Sequence, residues 1–257
     1  MNLSPASKRD LRLDFFRGLS LWFIFIDHVP FNRLSWLTVR NYGFSDAAEI
    51  FVFISGYTAA FVYGRIMRER GFVVAAARIW KRTWQLYVAF VFLSVIYIAQ
   101  IAYIAHNFEN PLFAEEMVTL HFLQRPEVIL LEVLRLRFLL ANVDVLPLYI
   151  VLMLVFPIML WLLIRMPAAA LALSAAIWAL AYFGGVNLHL YPVERGWFFN
   201  PFAWQLLFCI GAWCAVASGI WLRVLYESNV AIALCVASLI FAFAMHMTAF
   251  FPGLQQY

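Results

Sequence analysis

The chain has 257 residues, enough for one or two soluble domains, but 65% of them are hydrophobic and 12% charged, against roughly 45–50% and about 25% in ordinary globular domains. A soluble fold would expose much of that apolar surface to water, so the composition excludes one and implies an all-α polytopic membrane protein. The net charge of +4 need not mean nucleic acid, because the cations are unevenly placed along the chain.

Apolar runs of spanning length fall at 13–31, 46–66, 84–106, 146–164, 167–186, 202–222 and 230–251, each near the ~20 residues a bilayer requires. About seven transmembrane helices are therefore expected. The first run, LDFFRGLSLWFIFIDH, carries Arg17, Asp27 and His28, and ionisable groups at membrane depth are functional hypotheses by default. Arg17 and His28 are eleven residues apart, three helical turns with ~20° of drift and a rise of ~16 Å. That spacing suits a long anionic ligand with its charged end at Arg17 and its reactive end at His28. The bland alternative pairs Arg17 with Asp14 and bonds His28 to a neighbouring carbonyl. Arg17 is as readily structural as functional, whereas an imidazole inside a span has few structural reasons to exist. Asp27 and His28 are adjacent and do not face each other on a helix. A direct relay between them would need the helix to unwind at Pro30, so Asp27 is expected to bond another segment.

The second run opens with NYGFSDAAEIFVFISGY. Asp46 with Glu49 three later is a capping-box pattern. Gly56, Ala60 and Gly64 form a small-residue stripe that signals close helix packing. Ser55 and Tyr57 offer hydroxyls, although Ser55 as a nucleophile would need a base beside it. Arg65, Arg68, Arg70, Arg78, Lys81 and Arg82 then fill the connection to the third run. They read as topological charge facing anionic lipid, or together as a phosphate-binding vestibule.

The segment 107–145 is the one long loop. Within it, 126–141 reads as an amphipathic interfacial helix, started by Pro126 and Glu127, with Ile129, Leu130, Val133 and Leu134 on one face. Asn142 and Asp144 precede Pro147, and Asn200 precedes Pro201, two local helix starts. Gln205 and His246 are polar groups within spans that neighbouring helices should satisfy. His106, His121 and His189 have no ligand spacing, and Cys209, Cys214 and Cys235 sit inside apolar runs. Neither a metal site nor a disulfide scaffold is expected. The basic residues before the first run and between the second and third outweigh those of the opposite side. This places the amino terminus in the cytoplasm and the 107–145 loop in the periplasm. The first run, with Arg17, Asp27 and His28 and no small-residue cleavage site, does not read as a signal peptide.

The stretch RDLRLDFFRGLSLWFIFIDHVP, followed by LTVRNYGFSDAAEIFVFISGYTAAFVYG, resembles the OpgC family. These are bacterial inner-membrane proteins assigned to succinylation of osmoregulated periplasmic glucans, within a superfamily of integral-membrane acyltransferases. NPLFAEEM at 110–117, NVDVLPLYIVL at 142–152 and NPFAWQLLFCIGAW at 200–213 extend the resemblance, in order, over most of the chain. The superfamily's basic residue and His of the first span fall on Arg17 and His28, and its cytoplasmic Arg-x-x-Arg on Arg65 and Arg68. Family members have about ten spans, so the expectation is a single transmembrane acyltransferase-like domain over 1–257, incomplete at its C-terminus.

The resemblance implies an enzyme that moves a succinyl group from cytoplasmic acyl-CoA to hydroxyls of a periplasmic glucan, with acyl-CoA as donor substrate and no tightly bound cofactor. Arg17, Arg65 and Arg68 would meet the CoA phosphates. His28 would act as general base or transient acyl acceptor, in its neutral form, with Asp27 beside it. Glu49, Ser55, Tyr57, Asn142 and Asp144 are the candidates for an acceptor or supporting site. Two alternatives stay open: an acetyl donor with another envelope polysaccharide, and a transporter in which Arg17 and His28 line a solute path. The lack of visible repeats weighs against the transporter.

Overall fold

The structure is a computed structural model that describes residues 11–29, 31–108, 125–140, 143–191, 195–217 and 227–250. Among these residues there are seven α-helices and no β-strand: α1 (Leu11–Asp27), α2 (Ala47–Phe108), α3 (Pro126–Leu134), α4 (Val145–Arg165), α5 (Pro167–Gly184), α6 (Pro201–Val216) and α7 (Asn229–Phe250). Every apolar run of the sequence is helical over most of its described part, and the all-α membrane class holds. Four helices, α2, α4, α5 and α7, are long and apolar enough to cross a membrane. At 62 residues, an unbroken α2 would be roughly 90 Å long, three times the ~30 Å of bilayer hydrocarbon. Gly71 interrupts it at φ 82°, ψ 172°, a conformation open to glycine and hardly to other residues. The break divides α2 into 47–70 and 72–108, matching the second and third runs, inside the basic connection. α1 has 17 residues, Arg12, Asp14, Arg17 and Asp27 among them, and is not one of the four.

The chain divides into two compact units, residues 1–62 with 207–257, and residues 63–206. In the first, α2 and α6 touch backbone to backbone. A Cβ on Gly56 would strike the carbonyl oxygen of Phe208, and one on Gly211 would strike that of Phe53. The expected small-residue stripe is thus a helix crossing, with Ala60 fully buried. The loop after α1 forms two 3₁₀ turns, Arg33–Leu37 and Val39–Asn41. Beyond them Tyr42 stacks on Phe243 of α7, and Phe44 meets Phe241 edge-on. Phe15, Phe16, Trp22 and Phe25 of α1 stay exposed, as suits a surface turned to lipid.

The core of the second unit joins Phe90 and Ile98 of α2, Ile129 and Val133 of α3, Phe138 and Leu140 beyond it, and Ile150 of α4. α3 is shorter than the expected 126–141. Leu136 adopts φ 58°, Leu136 N–H bonds Val133 O at 3.0 Å and Arg137 N–H bonds Glu132 O at 2.8 Å. This is a Schellman termination, with leucine at the left-handed position glycine usually takes. Its face is also rotated: Ile129, Glu132 and Val133 are buried, whereas Leu130 and Leu134 are exposed. Tyr87 of α2 donates to the terminal carbonyl of Leu134 at 2.7 Å. Between α5 and α6, Ser174 Oγ donates to Gln205 Oε1 at 2.6 Å, and Gln205 Nε2 donates to Ser174 O at 2.7 Å. Gln205 is satisfied by its neighbours, as expected.

The 186–200 connection folds back on itself. His189 and Gly196 form an isolated antiparallel bridge, Trp197 N–H bonds Leu188 O, and Tyr191 N–H bonds Arg137 O at 2.8 Å. Asn187 Nδ2 donates to Trp197 O at 2.9 Å. A Cβ at position 196 would collide with that amide, so any other residue there would displace the Asn187 side chain.

Candidate functional site

α1 is helical from Leu11 to Asp27, and His28 N–H still reaches Ile24 O at 3.2 Å. The three-turn relation between Arg17 and His28 therefore holds along its length. The settings of the two residues differ from those expected. His28 lies just past the helix end and is exposed, so no described neighbouring helix encloses its ring. His28 Nδ1 lies 2.7 Å from Ile24 O. A carbonyl can only accept, so Nδ1 carries the proton and, in the neutral ring, Nε2 holds the lone pair. Arg17 Nη2 lies 2.8 Å from Asp14 Oδ1. Both contacts of the bland alternative are thus present. Neither removes the chemistry, because the carbonyl contact fixes the tautomer and Arg17 is still 38% exposed.

Asp27 closes α1 and points away from a relay. Its Oδ1 accepts from Thr38 Oγ1 at 2.7 Å, and the same hydroxyl lies 2.7 Å from Ser35 O. One hydroxyl proton is shared between two acceptors. Asp27 therefore bonds another segment, as its adjacency to His28 on the helix leads one to expect. Pro30 lies outside the described residues. Thr38, fully buried, was not singled out in the sequence. The signal for it is the Asn32-x-x-Ser35-x-x-Thr38 spacing. Asn32 Oδ1 accepts from Ser35 N at 2.9 Å, its Nδ2 donates to Ile26 O at 2.8 Å, and Ser35 Oγ donates to Asn32 O at 2.9 Å. These polar side chains fasten the loop to the end of α1 beside His28.

Glu49 Oε2 accepts from Asp46 N at 2.8 Å, and Asp46 Oδ1 accepts from Ala48 N at 2.7 Å. The two carboxylates close the start of α2, in the capping-box arrangement of this pair. Ser55, 3% exposed, and the half-buried Tyr57 flank Gly56 at the α2–α6 crossing, which accounts for their burial by packing. Asn142 lies outside the described residues. Asp144 stands immediately before α4, in the second unit. Asn200 caps α6 through Oδ1 to Phe202 N at 3.0 Å. Arg65 and Arg68 are exposed on one face of α2, also in the second unit, and Arg65 Nε pairs with Glu69 Oε1 at 2.7 Å.

The first unit thus offers an exposed imidazole with a fixed tautomer, a loop fastened beside it, and a cation three turns back along the same helix. This set can take a proton from a hydroxyl and hold an anion at a distance. A family model described as OpgC protein matches residues 9–257. No curated protein and no solved structure matches the chain.

Proposed function

The chain belongs to the OpgC family, whose members act as acyltransferases on osmoregulated periplasmic glucans, and from that premise we propose that it transfers a succinyl group from cytoplasmic succinyl-CoA to glucan hydroxyls at the periplasmic face of the inner membrane. The orientation rests on the basic connection 65–82 and the basic amino-terminal segment, which favour a cytoplasmic amino terminus. Arg17 is assigned to the CoA phosphates, through charge-assisted hydrogen bonds. Arg65 and Arg68 are proposed to contact CoA on their match to the family's Arg-x-x-Arg.

The observation that carries the role of His28 is the 2.7 Å contact of its Nδ1 with Ile24 O. It leaves Nε2 as the base. Nε2 takes the proton of a glucan hydroxyl while that oxygen bonds to the thioester carbonyl carbon. The carbon–sulfur bond then breaks, and the imidazolium returns its proton to the departing CoA thiolate. Attack by Nε2 itself, through an acyl-imidazole, uses the same lone pair. Thr38 and Asp27 position the loop on which the glucan would approach.

The test is turnover of succinyl-CoA by the purified protein with a gluco-oligosaccharide acceptor, read by mass spectrometry of the acylated sugar. His28→Ala is expected to abolish transfer while CoA still binds. Retained turnover in that variant would remove His28 from the reaction, and acetyl transfer in preference to succinyl would replace the donor.

A further inference from the structure

We propose that a cavity of about 460 Å³ in the second unit, lined by Arg135, Arg137, His189 and Trp197, binds an anionic saccharide. Its size falls within the range of small-ligand sites. Its polar lining presents two guanidiniums and an imidazole. Glu132 balances one of the two cations. Its Oε1 lies 3.0 Å from Arg135 Nη1 and its Oε2 3.5 Å from Arg137 Nε. Among the described ion pairs no second acid offsets the other arginine, so the site keeps a net positive charge that favours an oxyanion.

The second observation is independent of charge. Trp197 is 4% exposed, and its Nε1–H, buried, meets no acceptor. That N–H is closed to a ligand, so the indole enters the cavity's lining through its carbon ring, a wall on which a sugar's apolar ring face can stack. The frame around it is specifically built. The left-handed Leu136 ends α3 and carries Arg135 and Arg137 on either side of the turn. The Asn187–Gly196 approach and the Trp197–Leu188 bond hold the indole in place. Leu188 and Val151 add apolar walls. A bare inorganic ion would use neither those walls nor the volume. A sugar offers an apolar ring face, many acceptor oxygens and, once it carries a succinyl ester, a free carboxylate. The identity of the saccharide rests on the transfer proposed above, whereas the preference for an anion does not. By contrast, the apolar cavity bordered by Ser174 and Gln205 leaves neither of those groups unsatisfied.

Binding is measured by calorimetry on the whole protein in nanodiscs of zwitterionic lipid, with succinylated gluco-oligosaccharide, the neutral oligosaccharide and succinate as probes. The succinylated sugar is expected to bind roughly tenfold more tightly than the neutral one, as charge-assisted bonds are stronger than neutral ones. Arg135→Gln and Arg137→Gln should each erase most of that preference. Trp197→Leu, which removes the aromatic wall and keeps an apolar side chain, should weaken charged and neutral sugars alike. The exposed Arg135 supplies the variant least able to disturb folding. Equal affinity for both sugars, or unchanged affinity in Arg135→Gln, would overturn the proposal. Displacement of the sugar by anionic lipid, with no sugar preference left in zwitterionic discs, would assign the site to a lipid headgroup instead. His28→Ala should bind the sugar normally, so loss of the transfer reading and loss of this site give different results.

Discussion

Thr38 Oγ1 donates a 2.7 Å hydrogen bond to Asp27 Oδ1 across the loop that follows α1, joining the residue before His28 to a fully buried anchor. A bond to a carboxylate is worth about 1.5–3 kcal/mol where both partners are buried, and Asp27 is half-exposed, so the lower end applies. Thr38→Val keeps the volume and removes the donor. It is expected to lower stability by ~1.5 kcal/mol and to reduce the turnover number for succinyl transfer while the KM for CoA stays unchanged. Thr38→Ser should restore both. A KM effect without a turnover effect would show that the loop serves CoA binding rather than the reacting end.

Arg17 and Asp14 allow a second separation. If Arg17 serves only to pair with Asp14, then Asp14→Ala and Arg17→Ala should have similar effects, each worth ~1 kcal/mol or less for a partly exposed i, i+3 pair. If Arg17 holds CoA phosphate, Arg17→Ala should weaken CoA binding by roughly tenfold and Asp14→Ala should leave it equal or tighter. Equilibrium binding of CoA to the two variants decides this, with their thermal unfolding as the control.

The fold was legible where periodicity and solvent fix it. The seven apolar runs are helical over most of their described residues, and the stripe at Gly56 and Ala60 marks a real crossing, because a bilayer leaves the backbone few options. The end of α3 was not legible. Leu136 ends the helix in a conformation that glycine normally signals, so a leucine there hides the stop and, with it, the cavity that Arg135 and Arg137 flank. The setting of Asp27 was partly legible. Adjacency on a helix argued against a relay to His28, but its partner lies eleven residues on, in a loop whose turns depend on Asn32, Ser35 and Thr38 bonding one another. The capping role of Glu49 was legible in its spacing from Asp46, whose backbone amide donates to it.

Gly56 and Gly211 support a prediction about assembly. Each would place a methyl group against a carbonyl oxygen of the opposing helix, and a backbone atom cannot step aside by a rotamer change. Gly56→Ala and Gly211→Ala are each expected to cost about 1–3 kcal/mol, the usual range for overpacking. The double variant should cost less than the sum, because one displacement of the helices relieves both clashes. Thermal unfolding in detergent measures all three.

Ser174 and Gln205 provide the last test, of a polar link within the second unit. Gln205 Nε2 donates to Ser174 O at 2.7 Å and to Phe202 O at 3.2 Å, while Ser174 Oγ donates back to Gln205 Oε1. Interhelical hydrogen bonds in membranes average about 0.6 kcal/mol and reach about 1.7. With both partners buried, Gln205→Leu is expected near the upper figure, since it leaves the Ser174 hydroxyl without its acceptor. Adding Ser174→Ala to Gln205→Leu should recover part of the loss, because the hydroxyl left unpaired is then gone. An additive double variant would mean that the two side chains act separately and that α5 and α6 are held by apolar packing alone.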